Sequence, residues 1–410
     1  MGKNNHEMGN LTTMHMTKIV KFFFQIVYKI FSKLFQVSQQ KIVIASYRDN
    51  EINENFKNVY DELKKQTGLK IILLFRKSKS GFVDKLFYIL YLFKSLYHIA
   101  TCKVLLLDDY YYPLYLIKKR PETKVVQIWH ACGAFKKFGH SIKDKQGGPS
   151  SEYLEIVPVH SNYDYAIVSS EEAIGPFSEA FNMPKHKILA TGVPRTDSLY
   201  LNMHINQVKM KFNEEYPDLK DKIKVLYAPT FRGGINKQHR QQVLLNKEIF
   251  HKYLAPQYYE LIINMHPYMK KNSTGDRNIS EKFTLYELMM ISDVLITDYS
   301  SVIFEYSLLN KPMLFYCPDL KMYMKERDFY FPFEEFVPGP IRSRLEPLIE
   351  DLENIRKQKP KVDFSSFSNK FMNSCDGKST ERVVALILSL INETVEEGEK
   401  NFEIENKSTV

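Results

Sequence analysis

Residues 124–141 read KVVQIWHACGAFKKFGHS, and residues 258–268 read YYELIINMHPY. In each stretch a short apolar run ends at a histidine, His130 in the first and His266 in the second. Apolar runs that stop abruptly at polar, glycine or proline residues are typical of buried strands in a parallel sheet. Ligands bind outside the carboxyl ends of such strands, where a histidine can move a proton near neutral pH. The two stretches therefore predict one active site shared between two halves of the chain.

The size and composition of the chain predict two globular domains. Its 410 residues exceed one ordinary domain, and 44% of them are hydrophobic and 26% charged. The formal net charge of +9 favours an anionic partner, such as nucleic acid, acidic lipid or a phosphate-rich substrate. The four cysteines lack the spacing of a zinc site or a CxxC pair, so we interpret them as buried thiols in a reducing cytosol.

Strands alternate with helices in both halves, which predicts an α/β chain with parallel, doubly wound sheets. The predicted strands are Lys41–Ala45, Lys70–Phe75, Val104–Leu107, Val125–Trp129, Tyr165–Val168, Lys224–Tyr227, Leu261–Met265, Val294–Thr297 and Met313–Tyr316. We predict a first α/β domain at residues 41–205, a second at 206–395 and a solvated tail at 396–410. The last predicted helix of the second domain is Ser379–Ile391.

Residues 1–40 are predicted to comprise a disordered polar start, residues 1–16, and a basic amphipathic helix. The helix, TKIVKFFFQIVYKIFSKLFQV at residues 17–37, carries a lysine on almost every turn, which excludes a membrane-spanning segment. Clustered phenylalanines beside a purely basic face favour a helix lying in the membrane interface. An ordinary amphipathic helix packed on the first domain is the alternative. A second aromatic stretch, residues 82–100, belongs either to the same surface or to a buried helix.

Two motifs in the second half place anion-binding groups at strand ends. In VLITDYSSVIFEYSLLNKPMLFY, a strand ends at Thr297–Asp298 and a helix opens at Ser300 and Ser301, whose hydroxyls and backbone N–H groups suit a phosphate. Plain N-capping by Asp298 or Ser300 is the simpler alternative. In VLYAPTFRGG, a strand runs into Thr230 and Arg232, and a guanidinium offers a planar fork of donors for phosphate oxygens.

Two further clusters in the first half are candidate binding groups. In ATGVPRTDSLY, Arg195 and Asp197 follow a sharp turn, and a structural pairing between them is as consistent as a ligand role. Lys136 and Lys137 follow His130 and form either a solvated face or a contact for an anionic acceptor. The sequence has no GxxxxGK[ST], GxGxxG or HExxH motif, and Asp108–Asp109 is interpreted as a strand end in an aromatic run rather than a metal motif.

Five motifs at strand ends, in this order along the chain, resemble the CDP-glycerol glycerophosphotransferase family of teichoic acid synthesis. They are QIWHACGAFKKFG, GVPRTD, YAPTFRG, MHPY and SDVLITDYSSVIFEYSLLNKPMLFY, and the resemblance covers roughly residues 40–390. HSIKDKQGGP and RDFYFPFEEFVPGPI look most like the poly(ribitol phosphate) polymerase branch. The chain departs from the family at Ala131 and Cys132, where many members have Gly-Thr, so the preference for acceptor or polyol is open.

The resemblance implies a GT-B-like fold, with two Rossmann-like domains facing across a cleft. The first would face the acceptor and the membrane, and the second would bind the CDP donor. The implied reaction passes glycerol phosphate or ribitol phosphate from CDP-glycerol or CDP-ribitol to the hydroxyl end of an undecaprenyl-diphosphate-linked acceptor, releasing CMP. The implied location is the cytoplasmic face of the membrane, held peripherally at an anionic surface.

The resemblance also implies roles for individual residues. His130 and His266 match the family's essential histidines, and Thr230, Arg232, Asp298, Ser300 and Ser301 match its donor-phosphate region. Arg195 and Asp197 match its GxPRxD motif. We expect His130 to act as the base and cationic and hydroxyl groups to neutralise the diphosphate, so that no metal or other cofactor is required.

Three alternatives stay open at the level of sequence. A primase would add a single glycerol phosphate unit. A GT-B glycosyltransferase would use a nucleotide sugar, since the fold does not determine the chemistry. A non-catalytic protein would use its positive charge to bind membrane or nucleic acid, but the basic residues are scattered and no aromatic platform for single strands is visible, so no nucleic-acid partner is expected.

Overall fold

The fold is described from a computed structural model, which describes residues 2–77, 81–230, 245–264 and 279–393. The strands are β1 Ser38–Ser46, β2 Lys70–Phe75, β3 Cys102–Leu107, β4 Lys124–Gln127, β5 Tyr165–Ile167, β6 Ile188–Leu189, β7 Ile223–Tyr227, β8 Tyr259–Ile263, β9 Val294–Thr297, β10 Met313–Tyr316 and β11 Ile341–Arg342. Each predicted strand overlaps an observed one. The short strands β6 and β11 are not among the predicted strands.

Helices connect the strands throughout the described ranges. They are α1 Gly2–Leu34, α2 Glu54–Leu63, α3 Phe82–Thr101, α4 Tyr112–Tyr115, α5 Ser151–Ile156, α6 Glu171–Phe181, α7 Asn202–Glu215, α8 Lys247–Tyr253, α9 Ile279–Lys282, α10 Leu285–Ile291, α11 Val302–Ser307, α12 Leu320–Glu326, α13 Phe333–Phe336, α14 Leu345–Gln358, α15 Ser365–Phe371 and α16 Ser379–Asn392. Short 3-10 turns occupy Gly139–Ile142 and Pro194–Tyr200, among other positions.

The two halves of the chain form two separate parallel sheets. The first has six strands in the order β2-β1-β3-β4-β5-β6, and the second has five in the order β11-β10-β9-β7-β8. Every residue of β3 is buried, because helices cover both faces of the first sheet. The arrangement is the predicted α/β fold with two doubly wound sheets, and it is GT-B-like.

The last helix of the described chain does not stay with the second sheet. Val383, Val384, Ile387 and Leu390 of α16 pack against α2 and the first sheet. The Nζ atom of Lys103 in β3 also donates to the backbone carbonyl of Glu393, at 3.0 Å. The domain predicted at residues 206–395 therefore differs from the structure at its end, because the apolar face of α16 covers a face of the first sheet that α2 leaves open.

Helix α1 begins at Gly2, so the prediction that residues 1–16 are disordered is wrong from Gly2 onward. One side of α1 packs on the first domain, where Phe24 and Tyr28 are buried and Arg120 donates to the carbonyl of Ser32. Another side is exposed and apolar. Among the described residues, no helix combines the length and the apolar character that a membrane-spanning segment requires.

The exposed side of α1 continues onto α3 and forms one apolar area, here called the α1–α3 surface. The rings of Phe23 and Phe93 join the two helices, with centroids 5.8 Å apart. Its members are each at least 42% exposed: Met16, Ile19, Phe22, Phe23, Ile26, Ile30 and Leu34 of α1, and Leu86, Phe87, Ile89 and Leu90 of α3. Soluble monomers rarely expose so many adjacent large apolar side chains, so this surface is expected to contact an apolar partner.

Candidate active site

Three predicted site residues, His130, Thr230 and Asp298, follow strands at or beside the switch point of a sheet, where the strand order reverses and ligands bind in folds of this kind. In the first sheet the switch lies between β1 and β3, and the residues that follow β1, β3 and β4 are Arg48, Asp109 and His130. In the second sheet it lies between β7 and β9, which lead into Thr230 and Asp298.

His130 follows β4 and is held by groups at the end of β3. Its Nδ1 atom lies 3.3 Å from the backbone carbonyl of Asp108 and 3.6 Å from Oδ2 of Asp109. A carbonyl oxygen can only accept, so this contact places the ring proton on Nδ1 and leaves the lone pair on Nε2. The imidazole also packs against the tilted ring of Trp129, with centroids 4.2 Å apart. The side chain is 28% exposed, and the tautomer leaves Nε2 as the basic atom of the ring.

The surroundings of His130 favour the neutral imidazole. Burial lowers the pKa of His130 well below its ordinary value, and the cations Arg48 and Arg195 lower it further. Asp109 is paired with Arg48, whose Nη1 atom lies 2.8 Å from Oδ2 of the carboxylate. A neutral histidine with one free ring nitrogen, next to a carboxylate that can stabilise an imidazolium, is the arrangement of a general base.

Arg195 links the His130 loop to the second domain. Its Nη1 atom donates to Oδ1 of Asn55 at 2.7 Å and to the backbone carbonyl of His130 at 2.9 Å, and its Nη2 atom donates to the carboxylate of Glu305 in α11. Both side chains of the ion pair are nearly inaccessible, at 11% and 4% exposure. The two terminal nitrogens of Arg195 thus bond to protein groups and connect the His130 loop to α11.

Asp197 also bonds to protein groups. Its carboxylate accepts from the backbone N–H groups of Ser379 and Thr380, at 3.1 and 2.7 Å, and so caps the N-terminus of α16. Arg195 and Asp197 are therefore not paired with each other. They tie the turn at Pro194–Tyr200 to α11 and α16, respectively, and hold the two halves of the chain together.

Asp298 organises the switch point of the second sheet. Its Oδ1 atom accepts from the backbone N–H groups of Thr230, at 2.7 Å, and Tyr299, at 2.6 Å. The hydroxyl of Thr230 is buried without a partner among the described residues. Ser300 and Ser301 are partly buried and precede α11, whose backbone N–H at Val302 lies 3.4 Å from Oγ of Ser300. Asp298 thus holds the backbone that follows β7 and β9.

The loop after His130 inserts into the second domain. Phe135 stacks on Phe336, with centroids 4.9 Å apart, and Gly133 lies so close to Phe304 that an added Cβ would come within 2.5 Å of its ring. Lys136 and Lys137 lie on the same loop. The Nζ atom of Lys136 is 3.4 Å from the hydroxyl of Tyr323, and that of Lys137 is 3.8 Å from Oε1 of Glu179. The loop therefore places Cys132 and Gly133, which follow His130 closely in sequence, against Glu305 and Phe304 of α11.

Two predicted residues, His266 and Arg232, lie outside the described residues. Their proximity to His130 stays a prediction. Within the part of the chain that the structure describes, no cluster of three or more histidine, cysteine, aspartate or glutamate side chains is placed to hold a metal ion.

Sequence reasoning missed several residues that support His130. Asp108 and Asp109 follow β3, the neighbour of β4, and the carboxyl ends of adjacent parallel strands meet at one edge. This adjacency of β3 and β4 could have indicated that Asp108 and Asp109 lie near His130. Glu305 was detectable as a carboxylate in the apolar run VIFEYSLL, because a buried charge requires a partner. Arg48 and Asn55 lie in loops and helix starts that carry no sequence signal of their own.

Comparisons with known proteins show the family of the chain. A profile of the family described as CDP-Glycerol:Poly(glycerophosphate) glycerophosphotransferase matches residues 26–389. The teichoic acid ribitol-phosphate primase of Bacillus spizizenii strain W23 is 51% identical over 92% of this chain and 98% of the primase. The teichoic acid poly(ribitol-phosphate) polymerase of the same strain is 35% identical over 93% of this chain, which spans 61% of the polymerase.

Solved structures show the same architecture. The structure of the wall teichoic acid polymerase TagF superposes with a TM-score of 0.73 over 93% of this chain and 96% of the TagF chain, at 24% sequence identity. A likeness at this level of identity concerns the fold, and it confirms the predicted two-domain GT-B-like arrangement.

Proposed function

The chain belongs to the CDP-glycerol:poly(glycerophosphate) glycerophosphotransferase family and is a polyol-phosphate transferase of teichoic acid synthesis, and from this premise we propose that it transfers ribitol phosphate from CDP-ribitol to a lipid-linked acceptor. The observation that carries the choice of ribitol is the 51% identity to a ribitol-phosphate primase across nearly its whole length. CMP is the proposed leaving group.

His130 is the proposed general base of the transfer. Nε2 of the neutral ring takes the proton of the acceptor hydroxyl while the oxygen attacks the β-phosphorus of the donor. The bond between that phosphorus and the bridging oxygen breaks, and CMP leaves with the electron pair. The imidazolium that forms is stabilised by the carbonyl of Asp108, 3.3 Å from Nδ1, and by the carboxylate of Asp109, 3.6 Å away.

Thr230, Ser300 and Ser301 are the described residues that we propose to contact the donor phosphates. The unpartnered hydroxyl of Thr230 supports this role, because a buried donor without a partner is costly unless a ligand satisfies it. Arg232 and His266 are proposed to supply positive charge to the same phosphates. Lys136 and Lys137 remain candidates for the acceptor, and Arg195, Asp197 and Asp298 are proposed to position the segments that carry the reacting groups.

A donor competition tests this proposal. CDP-ribitol, CDP-glycerol and a UDP-sugar are offered together with a synthetic lipid-linked acceptor that ends in a polyol phosphate, and mass spectrometry identifies the transferred group. We expect ribitol phosphate in the product and CMP in solution. Transfer from the UDP-sugar with release of UDP would contradict the proposal.

The same experiment counts the units that are added. The 51% identity to a primase, compared with 35% to a polymerase, favours the addition of a single unit. A product one unit longer than the acceptor supports this second proposal, and a ladder of products identifies a polymerase.

The pH dependence of the reaction follows from the environment of His130. Because its pKa lies well below the ordinary 6.5, the base stays neutral and kcat/KM should hold constant until the pH falls below 6.5. Arg48→Gln removes a cation that opposes protonation, so the pKa of His130 rises and the acid limb moves to higher pH. The measurement is a pH profile of kcat/KM for both proteins.

A matched control for Arg48 is Arg356→Gln, which removes an arginine from an arginine–carboxylate pair in the second domain. Its pH profile should match that of the wild type. An acid limb above pH 6.5 in the wild type, or one that Arg48→Gln leaves unmoved, would remove the assigned base.

We also propose that the α1–α3 surface holds the enzyme peripherally at the cytoplasmic face of an anionic membrane. Lys18, Lys29 and Lys33 are exposed on the side of α1 that adjoins its exposed apolar residues. Apolar side chains can enter the interface while these lysines meet anionic headgroups. The exposed apolar residues and lysines support a helix α1 that packs on the first domain with one side and lies in the membrane interface with another.

Replacing three exposed residues, Ile19→Ser/Phe22→Ser/Ile26→Ser, is expected to weaken binding to vesicles with anionic lipid by at least about tenfold, because each buried apolar side chain contributes about 1.5–3 kcal/mol. Co-sedimentation measures the bound fraction. Deleting α1 is unsuitable, since Phe24 and Tyr28 belong to the core. The control Met203→Ser/Met210→Ser changes exposed apolar residues of α7 and should bind as the wild type does. Unchanged binding of the triple variant would refute this role of α1.

A further inference from the structure

A cavity of about 330 Å³ lies in the first domain beside the residues that hold His130. Five tyrosines form much of its wall: Tyr47, Tyr110, Tyr112, Tyr115 and Tyr153. Gly139, His140, Pro149, Leu154, Val157 and Val159 complete the lining. The transfer mechanism proposed above does not use this cavity.

The tyrosines of the cavity fall into two kinds. The hydroxyl of Tyr115 bonds to that of Tyr163, as buried tyrosines usually do. The hydroxyls of Tyr47, Tyr110, Tyr112 and Tyr153 have no hydrogen-bond partner among the described residues, and burial raises the pKa of each. Four phenol groups that can donate and accept are therefore available to a ligand.

The chemistry of the lining selects among ligands. It contains no lysine, arginine, aspartate or glutamate, and His140 already approaches the carbonyl of Val159 with Nε2, at 2.9 Å. A phosphate or diphosphate would therefore lack a cationic partner. An isoprenoid chain would cover the four hydroxyls without satisfying them, at the cost of burying unpaired polar groups. A sugar ring suits both features, because its C–H faces pack on aromatic rings while its hydroxyls bond to phenols.

The position of the cavity relates it to the proposed reaction. Tyr110 follows Asp109 directly, and its ring lies 5.5 Å from that of Trp129, which packs against His130. On the other side, the lining helix α5 is joined to α1 by a bond from Nζ of Lys21 to the carbonyl of Ile156, at 2.7 Å. The cavity thus lies between the proposed membrane helix and the proposed base.

We propose that this cavity binds an uncharged sugar ring of the acceptor, located between the lipid and the hydroxyl that attacks the donor. The inference rests on the proposed function and names a part of its acceptor. The sugar fixes the distance between the membrane anchor and His130, so that the hydroxyl end of the acceptor reaches Nε2.

Direct binding is measured through Trp129, the single tryptophan of the chain. The probes are chitobiose and cellobiose, two uncharged disaccharides, with CMP and farnesol as comparators. We expect at least one disaccharide to change the emission of Trp129 with a Kd in the millimolar range. The double variant Tyr112→Phe/Tyr153→Phe, which removes two hydroxyls and keeps both rings, should weaken that binding about tenfold. The control Tyr253→Phe changes an exposed tyrosine of α8 and should bind as the wild type does.

Kinetics test the same site with two synthetic lipid-linked acceptors that end in one polyol phosphate. One carries a disaccharide between lipid and polyol, and the other carries none. Tyr112→Phe/Tyr153→Phe should raise KM about tenfold for the sugar-bearing acceptor only, with kcat and the KM for CDP-ribitol within about twofold. A merely structural effect would change kinetic constants for both acceptors.

The possible outcomes separate this inference from the proposed function. No response of Trp129 to either disaccharide, together with equal KM values in variant and wild type, would overturn it. Binding of farnesol or CMP that the tyrosine variant abolishes would assign the cavity to another ligand and overturn it as well. If no CDP-polyol is turned over, the proposed function fails. The disaccharide titration still shows whether the cavity binds a sugar.

Discussion

His130→Asn is expected to lower kcat by about a hundred- to ten-thousand-fold, which is the usual contribution of a general base. The asparagine amide can still donate to the carbonyl of Asp108, but it has no basic nitrogen to take the proton of the acceptor hydroxyl. The loop should therefore keep its place while the chemical step slows. The measurement is the rate of CMP release at saturating CDP-ribitol and acceptor.

The matched control is His186→Asn, which changes an exposed histidine at the 3-10 turn Lys185–Lys187 and should keep kcat within about twofold. Circular dichroism and urea unfolding of both variants show whether the fold is retained. A folded His130→Asn enzyme that keeps more than a tenth of the wild-type kcat would assign the proton transfer to another group.

Glu305→Ala is expected to lower the free energy of unfolding by about 3–5 kcal/mol, because it leaves Arg195 charged, buried and without its carboxylate. The ion pair joins the turn at Pro194–Tyr200 to α11, so its loss also weakens the contact between the two halves of the chain. Urea unfolding followed by the emission of Trp129 measures the change. Asp61→Ala, which removes an exposed ion pair in α2, should change the free energy by less than about 1 kcal/mol.

The double variant Arg195→Met/Glu305→Met separates stability from positioning. Apolar residues of similar volume commonly replace a buried ion pair at little cost, so the double variant should be more stable than Glu305→Ala. Its kcat should remain below that of the wild type, since the carbonyl of His130 loses its bond to Arg195. A double variant that is as unstable as Glu305→Ala would show that the charge pair does not account for the loss.

The sheets could be predicted because buried parallel strands are nearly continuous apolar runs. Val294–Thr297 and Met313–Tyr316 are observed with the predicted bounds, whereas β6 and β11, of two residues each, are too short to leave a pattern. The position of α16 could not be predicted from its own sequence. Its apolar face specifies burial, and only the three-dimensional fold shows that the open surface lies on the first sheet.

The candidate site was predictable to the extent that it lies at strand ends. His130, Thr230 and Asp298 were found because each follows an apolar run. The roles of Arg195 and Asp197 were not, because a sequence gives no sign that Glu305 and the N-terminus of α16 are their partners. Residues that act through another element are visible only once the elements are packed.

The return of α16 to the first sheet has a consequence for biosynthesis. Residues 379–392 supply apolar cover for strands that leave the ribosome more than two hundred residues earlier. The core of the first sheet therefore cannot be completed until α16 has left the ribosome, and its apolar surface stays exposed up to that point. Nascent chains with exposed apolar surface are prone to aggregate, so chaperones are expected to stay engaged with this protein until α16 has emerged.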